Sequence, residues 1–395
     1  MTDTPLDSRP AGVASAPVGS PADARGAAPA AHAAAGHAPA RAQVTDDFGR
    51  TIDYLRIAIT DRCNYRCVYC MPASGVHLLT HGQVLSFEQI ARFVRVATEF
   101  GIRHLRLTGG EPLARKGCVE LAAMLKAIPG IEDIAITTNG SLLPRLAKPL
   151  VEAGVSRVNI SLDTLDPGVF RGVTRVGRLE DALAGIDAAL DAGFKTVKIN
   201  CVAVRSLHQD VLGLAKLSLD RPLHVRFIEY MPIGSDDMQL LTGGEHTEGN
   251  VPDEDRSHVS VAEWSAQDTI PSDELRRAIS RLGEADGVGP LLPAHADRPT
   301  GYGPADYWEF AGARGTVGFI SAMSNHFCKT CNRMRLTADG CIRPCLFSDL
   351  EVPVHDALVA GDDEAVRAAL RKALRIKPDA HHTEGTERYM SQIGG

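Results

Sequence analysis

Cys63-Asn64-Tyr65-Arg66-Cys67-Val68-Tyr69-Cys70 is the stretch whose reading decides the fold. It follows Tyr54-Leu55-Arg56-Ile57-Ala58-Ile59-Thr60, an alternating run that reads as a strand. Three cysteines spaced CxxxCxxC on a loop after a strand suit three corners of an iron–sulfur cube. A four-iron cluster ordinarily takes four thiolates. Three in one loop leave one iron open, which chemistry on a bound molecule needs and plain electron transfer does not. Structural zinc asks for four ligands and usually paired CxxC spacing. A disulfide would leave an odd cysteine and require an oxidising compartment. The spacing supports the cluster.

The rest of the composition is compatible with that chemistry. The chain has 395 residues, enough for an α/β domain of about 200–250 residues plus a further module. No apolar run approaches the ~18 residues of a membrane-spanning helix. A net charge of −7 argues against a general nucleic-acid binder, while leaving room for a local basic pocket. Six of the nine cysteines fall in two tight groups, which fits metal ligation in a reducing, cytoplasmic setting.

Residues 1–43 are rich in Ala, Pro and Gly, lack hydrophobic periodicity and read as a disordered tail. From residue 44, β-branched runs alternate with helical patterns. Strands are expected at 55–60, 104–108, 133–138, 157–162, 196–204 and 224–230. Helices are expected at 86–100, 117–127, 142–153, 179–192 and 209–219. Ser86 followed by Gln89 is a capping-box pattern, and Gly101, Gly154 and Gly193 stand where helices should end. Six βα units imply parallel strands with helical crossovers. No GxGxxG follows the first strand, so an incomplete (β/α)6 TIM-type barrel over 44–234 is preferred to a flat doubly wound sheet. Residues 235–300 break the pattern and read as a polar surface insertion and connecting segment, with a helix over 271–282; His246 and His258 there read as solvated loop histidines.

Polar signals cluster at the strand C-terminal ends, where barrel active sites lie. Gly109-Gly110-Glu111-Pro112 follows strand two, Thr137-Thr138-Asn139-Gly140 closes strand three, and Ser161-Leu162-Asp163 closes strand four. Lys198 and Asn200 lie in strand five, and Glu229-Tyr230-Met231-Pro232 ends strand six. The two glycines of GGEP suit close approach of backbone to a ligand.

The second group is Phe327-Cys328-Lys329-Thr330-Cys331-Asn332-Arg333-Met334-Arg335, followed by Cys341 and Cys345. CxxC with a later Cys reads equally as zinc or as a cluster. Arg333 and Arg335 alternate on a short strand and point the same way, a pair of forks suited to phosphate. Cys118 and Cys201 read as buried thiols.

CxxxCxYC followed one βα unit later by GGEP resembles the radical S-adenosylmethionine (SAM) enzymes. With FCxxCNRxRLT, a third Cys 14 positions after Cys331 and a terminal Gly394-Gly395, the chain resembles the GTP 3′,8-cyclase family of molybdenum-cofactor biosynthesis over residues 44–395, apart from the insertion. The resemblance implies a C-terminal extension over 301–395 carrying a second iron–sulfur cluster, hence two 4Fe–4S clusters with SAM as cofactor. It assigns Cys63, Cys67 and Cys70 to the first cluster and Cys328, Cys331 and Cys345 to the second, the family spacing favouring Cys345 over Cys341. Tyr69, Gly110, Ser161 and Met231 match SAM contacts. Arg56, Arg106, Thr137, Lys198, Arg333 and Arg335 match GTP contacts, and Arg56 with the Gly394-Gly395 tail falls in catalytic positions.

The implied reaction is hydrogen abstraction from ribose C3′ of GTP by a 5′-deoxyadenosyl radical, closure onto guanine C8, and reduction to (8S)-3′,8-cyclo-7,8-dihydroguanosine 5′-triphosphate. Implied partners are a reductant or electron-donor protein and the pyranopterin synthase that takes the product, with a homodimer allowed. A radical SAM peptide-modifying enzyme with an auxiliary cluster, or a non-catalytic zinc-binding module, are the other readings. The first usually has more C-terminal cysteines and lacks the Arg pair and glycine tail; the second would be colourless.

Overall fold

The structure, a computed structural model, describes residues 44–233, 264, 266–295, 303–381 and 386–394. The expected tail 1–43, residues 235–263 with His246 and His258, and Gly395 lie outside the described residues. The chain divides into units 1–40 and 41–395, and every described strand and helix belongs to the second.

The six expected strands are β1 (Tyr54–Ala58), β2 (His104–Thr108), β3 (Asp133–Thr138), β4 (Arg157–Ser161), β5 (Thr196–Ala203) and β6 (Leu223–Glu229). They pair in sequence order, all parallel. Parallel strands covered on both faces carry near-continuous apolar runs, and Leu55, Ile57, Leu105, Leu107, Ile134 and Ile136 are buried accordingly. Crossovers are made by α1 (Phe87–Glu99), α2 (Cys118–Lys126), α3 (Leu143–Glu152), α5 (Leu179–Ala192) and α6 (Val211–Asp220). Helix α1 shows the logic. Ser86 and Gln89 form the reciprocal capping box, and Ile90, Phe93, Val94 and Ala97 turn one face into the core. Each large side chain so buried stabilises the fold by about 1.5–3 kcal/mol. Gly101, Gly154 and Gly193 all have positive φ where these helices end.

Two features depart from expectation. A short helix, α4 (Pro167–Thr174), precedes α5; Asp166 caps it by accepting from the Val169 N–H. The C-terminal region is also more than an appendage. Its β9 (Thr316–Ile320) joins β6 in parallel, and its β10 (Arg333–Leu336) joins β1 in parallel. Eight neighbouring parallel strands result, in the order β10-β1-β2-β3-β4-β5-β6-β9. An open six-stranded sheet has two edges of unpaired N–H and C=O groups, and this segment satisfies both. Outside these lie β11 (Cys341–Arg343) and β12 (Val352–Pro353) on one side, β8 (Asp306–Glu309) and β7 (Leu292–Pro293) on the other, all antiparallel.

The segment expected as a surface insertion contributes to the core as well. Its helix α7 (Ser272–Asp286) buries Leu275 and Ile279, and Trp264 is buried against Tyr69 and Tyr230. Helices α8 (His355–Ala360), α9 (Asp363–Arg375) and α10 (Met390–Ile393) complete the described chain.

Candidate active site

The loop after β1 places Cys63, Cys67 and Cys70 on the wall of a cavity that Tyr69, Gly110, Ser161 and Met231 also line. The loop is held from several sides. The Arg66 and Val68 N–H groups donate to Thr174 and Val173 at the end of α4. Arg175 donates to the Arg66 and Met71 carbonyls, and the Asn139 amide to Asn64 at 2.8 Å.

GGEP packs against this loop, and its Gly109, Gly110 and Glu111 also line the cavity. A Cβ at Gly109 would lie 2.2 Å from the Thr60 carbonyl oxygen, and one at Gly110 2.3 Å from that of Arg62, so only glycine lets the two loops touch. Glu111 then accepts from Leu113 N, Thr138 Oγ1 and Asn139 N at 2.8–3.0 Å. Burial outweighs these bonds and raises its carboxyl to about 7.

The three thiols sit in a low-dielectric pocket. Burial pushes Cys63 up to about 11, Cys70 to about 12 and Cys67 well above the usual thiol range. Thiolates there need a positive counter-charge, which a cluster supplies. Among the described residues, only His326, Cys328 and His381 bring three His, Cys or acidic ligand atoms within 4.8 Å of one another. That set takes nothing from the first triad and one cysteine from the second. Tetrahedral zinc, with Zn–S near ~2.3 Å, needs a tighter grouping than either triad makes. All-thiol donor sets spread beyond 4.8 Å suit an iron–sulfur cube, whose ligands sit on separate irons, better than one zinc ion.

Beside this cavity lies a cationic one. Strand register builds it: Arg335 pairs with Arg56, and Arg56 with Arg106. Three guanidinium side chains therefore stand in one row on one face, one strand spacing of about 4.8 Å apart. Arg333 pairs with Tyr54 one step along, and Tyr54 accepts from Arg106 Nε at 2.6 Å. Arg56, Arg106, Arg226, Arg333 and Arg335 all line the cavity. Burial, then the neighbouring arginines, pull Arg56 well below its usual range; burial and Arg333 bring Arg335 to about 10. None of Arg106, Lys198, Arg226, Arg333 and Arg335 forms an ion pair among the described residues. Buried like charges without a carboxylate destabilise the empty protein and favour a polyanion. Asn200, Ile228, Met231 and Met390 line both cavities, so the two adjoin.

Phe327 and Leu346, chain neighbours of Cys328 and Cys345, line the cationic cavity from the far side. Cys345 lies close enough to act on Cys328, Arg335 and Lys377 electrostatically. Burial raises the Cys331 thiol, but Lys377 and Arg333 more than reverse this and it ends below the usual range. Cys341 faces elsewhere, towards Asp339, Glu351 and Arg388, and is raised to about 11 by burial and those carboxylates.

The C-terminal segment reaches both cavities. Met390 lines each of them, the Ser391 backbone lies close enough to the Cys70 thiol to lower it against its burial, and Arg335 donates to the Gly394 carbonyl. Gly394 has φ +73°, and a Cβ there would meet Thr108 Cγ2 at 2.6 Å.

Not every expected contact lies on a wall of the cationic cavity. Thr137 lines the cysteine side, its hydroxyl between Arg106 and Asn159. Lys198 is one layer back, donating to Tyr307 Oη at 3.2 Å. Arg226 was missed by sequence reasoning. It is 3% exposed and donates to Asn159 at 3.0 Å and to Asn200. Its position on β6, two residues after His224, was the available signal. Arg175 and Lys377 were missed too, whereas Asp163, among the polar signals closing β4, accepts from Tyr69 Oη at 2.9 Å.

Fold and site together are those of a radical SAM enzyme: a parallel strand–helix sheet with a three-cysteine loop after its first strand. The radical SAM superfamily model matches residues 57–217, and the Molybdenum Cofactor Synthesis C model residues 255–383. GTP 3′,8-cyclase of Pelotomaculum thermopropionicum is 48% identical over 89% of this chain and 99% of its own length; that of Heliobacterium modesticaldum is 46% identical with the same coverage. The chain belongs to the GTP 3′,8-cyclase family. The solved structure of Streptococcus suis SuiB, 16% identical, covers 82% of this chain and 69% of its own at a TM-score of 0.50, a likeness of fold alone.

Proposed function

We propose that this chain converts GTP to (8S)-3′,8-cyclo-7,8-dihydroguanosine 5′-triphosphate across the two adjoining cavities. The observation that carries the proposal is their contrast: one is walled by three cysteines, its neighbour by five arginines. Cys63, Cys67 and Cys70 hold the first cluster, with Tyr69, Gly110, Ser161 and Met231 around SAM. Cys328, Cys331 and Cys345 hold the second. When bound, the first cluster with SAM would supply a 5′-deoxyadenosyl radical, and the second would offer a Lewis-acidic iron to the substrate.

The residues of the chain do the positioning. The Arg335–Arg56–Arg106 row with Arg333 grips the triphosphate through charge-assisted hydrogen bonds. That grip turns the ribose C3′–H towards the cysteine cavity and leaves C8 within reach of C3′. Met231 and Met390 form the apolar wall shared by both cavities, which keeps water from the reacting carbon. Gly394 lays the tail against the β1 and β2 ends. An electron-donor protein and the pyranopterin synthase act before and after it, with a homodimer as the assembly. No helix among the described residues is long and apolar enough to cross a membrane; we place the enzyme in the cytoplasm. Its organisation is a tail over 1–43, a barrel over 44–234 completed by two strands of the C-terminal cluster region over 301–395, and a connecting segment over 235–300 whose helix packs into the core. Anaerobic reconstitution, iron and sulfide counting, then incubation with SAM, reductant and GTP is the test. Brown protein that forms 5′-deoxyadenosine without a cyclised nucleotide would refute the substrate assignment.

The buried charges have two measurable consequences. Arg333→Ala with Arg335→Ala weakens GTP binding by about 100-fold or more, since a hydrogen bond to a charged group contributes ~1.5–3 kcal/mol. The same change raises the melting temperature of the nucleotide-free protein by removing buried like charges. Calorimetry measures both, and unaltered GTP affinity rejects the phosphate role.

Lys198 is lowered from 10.5 to about 6 by burial and then by Arg226, Arg157 and Arg106. Between those values the unfolded chain carries a proton that the folded one lacks. The empty protein therefore loses stability as pH falls through that window. An arriving triphosphate favours the charged lysine. GTP binding at about pH 8 thus takes up protons, seen as a dependence of the heat on buffer ionisation. Lys198→Met lowers the uptake; equal uptake by both proteins dismisses this lysine from the substrate's field.

A further inference from the structure

Lys377, two residues after α9, has no part in the roles above. It is 3% exposed. Its Nζ donates to the Pro344 carbonyl at 2.6 Å, to the Arg333 carbonyl at 2.9 Å and to Cys331 Sγ at 3.7 Å. An ammonium has three N–H donors and no acceptor, so all three protons are assigned. Two short bonds to carbonyls fix the head, and the third direction is thereby aimed at the sulfur.

The burial needs an explanation. No carboxylate forms an ion pair with Lys377 among the described residues. A buried cation without a counter-charge is costly. The negative groups that favour its charge are Cys331 and Cys345 first, then Asp46, whose carboxylate is already paired with Arg50. A lysine needed only to tie carbonyls together would do so as well from a solvated edge. Its placement makes sense when the sulfur carries the negative charge of a metal-bound thiolate.

We propose that Lys377 is a positioning residue that donates a hydrogen bond to the Cys331 sulfur and so raises the reduction potential of the second cluster, an inference resting on the assignment of Cys331 as a ligand. An N–H···S bond withdraws electron density from the thiolate and stabilises the reduced cluster, which carries one more negative charge. The same head holds Arg333, a triphosphate contact, and Pro344, next to Cys345. It therefore also sets the second cluster against the strand that grips the substrate.

The test isolates the second cluster in full-length protein carrying Cys63→Ala, Cys67→Ala and Cys70→Ala, reconstituted without oxygen. Its midpoint potential is read by EPR-monitored redox titration with Lys377 intact, as Lys377→Met and as Lys377→Arg. The expected result is a more negative potential for Lys377→Met at unchanged iron content, largely restored by Lys377→Arg, which keeps a donor. An unmoved potential in iron-replete Lys377→Met overturns the proposal. A background protein that binds no iron overturns the ligand assignment instead, and the role of the lysine with it. Should Lys377→Met fail to assemble a cluster, protein labelled with ¹⁵N-lysine and left unsubstituted at 377 decides. Pulsed EPR of its reduced second cluster, without GTP, should show a lysine ¹⁵N coupling; none at all ends the proposal.

Discussion

Cys67→Ala brings 5′-deoxyadenosine formation to background, a loss beyond the roughly 10–100-fold typical of outer-shell changes at metal sites. The reason is geometric. Cys67 lies on a loop that the end of α4, Arg175 and Asn139 hold from three directions. No other cysteine lines that cavity besides Cys63 and Cys70, so no thiolate can move in to replace it. The iron content falls by one cluster while GTP still binds, because the arginine row stands within β10, β1 and β2 and Cys67 on the loop beyond β1. Cys118→Ala is the control. That thiol is packed in the core at the start of α2 and its loss leaves SAM cleavage intact. Cys341→Ala likewise keeps both clusters, whereas Cys345→Ala loses the second. SAM cleavage that survives in Cys67→Ala would remove the first cluster from the assignment.

Gly394→Ala uncouples the reaction: SAM is still cleaved, but little cyclised product forms. Two effects add. A left-handed backbone costs a non-glycine residue about 1–2 kcal/mol. The new methyl group would also lie 2.6 Å from Thr108 Cγ2. The last turn must lift away, which breaks the Arg335 bond to the Gly394 carbonyl and moves Met390 from the wall of both cavities. A loss of at least ~10-fold in product per 5′-deoxyadenosine is expected from about 1.4 kcal/mol or more of tail misplacement. The melting temperature changes little, because few elements rest on this short segment. Deleting Gly394 and Gly395 goes further and stops cyclisation. Full coupling in either variant removes the tail from the mechanism.

Much of this was legible in advance because the signals are local. Strands β1 to β6, their crossover helices and the caps of α1 follow from periodicity and a few residues each. The cysteine spacings, GGEP and the Arg333–Arg335 alternation are local as well. Helix α4 was harder to read: Pro167 at its first position and Asp166 before it are start signals, but eight residues are too few for a clear period. GGEP has a second role that no local pattern shows. Its glycines line the cavity and also let the backbone of Thr60 and Arg62 come close.

Sequence alone determined which side chains exist for chemistry, and on which ends of which strands, because side-chain period and strand ends are short-range properties. Only the tertiary structure decided that β10, late in the chain, pairs with β1 and sets Arg335, Arg56 and Arg106 in one row. The same holds for Arg226 entering the cavity and for Lys377 pointing at a sulfur. Pairing between distant segments depends on which edges remain unsatisfied after the rest has folded, and no window of neighbouring residues contains that information.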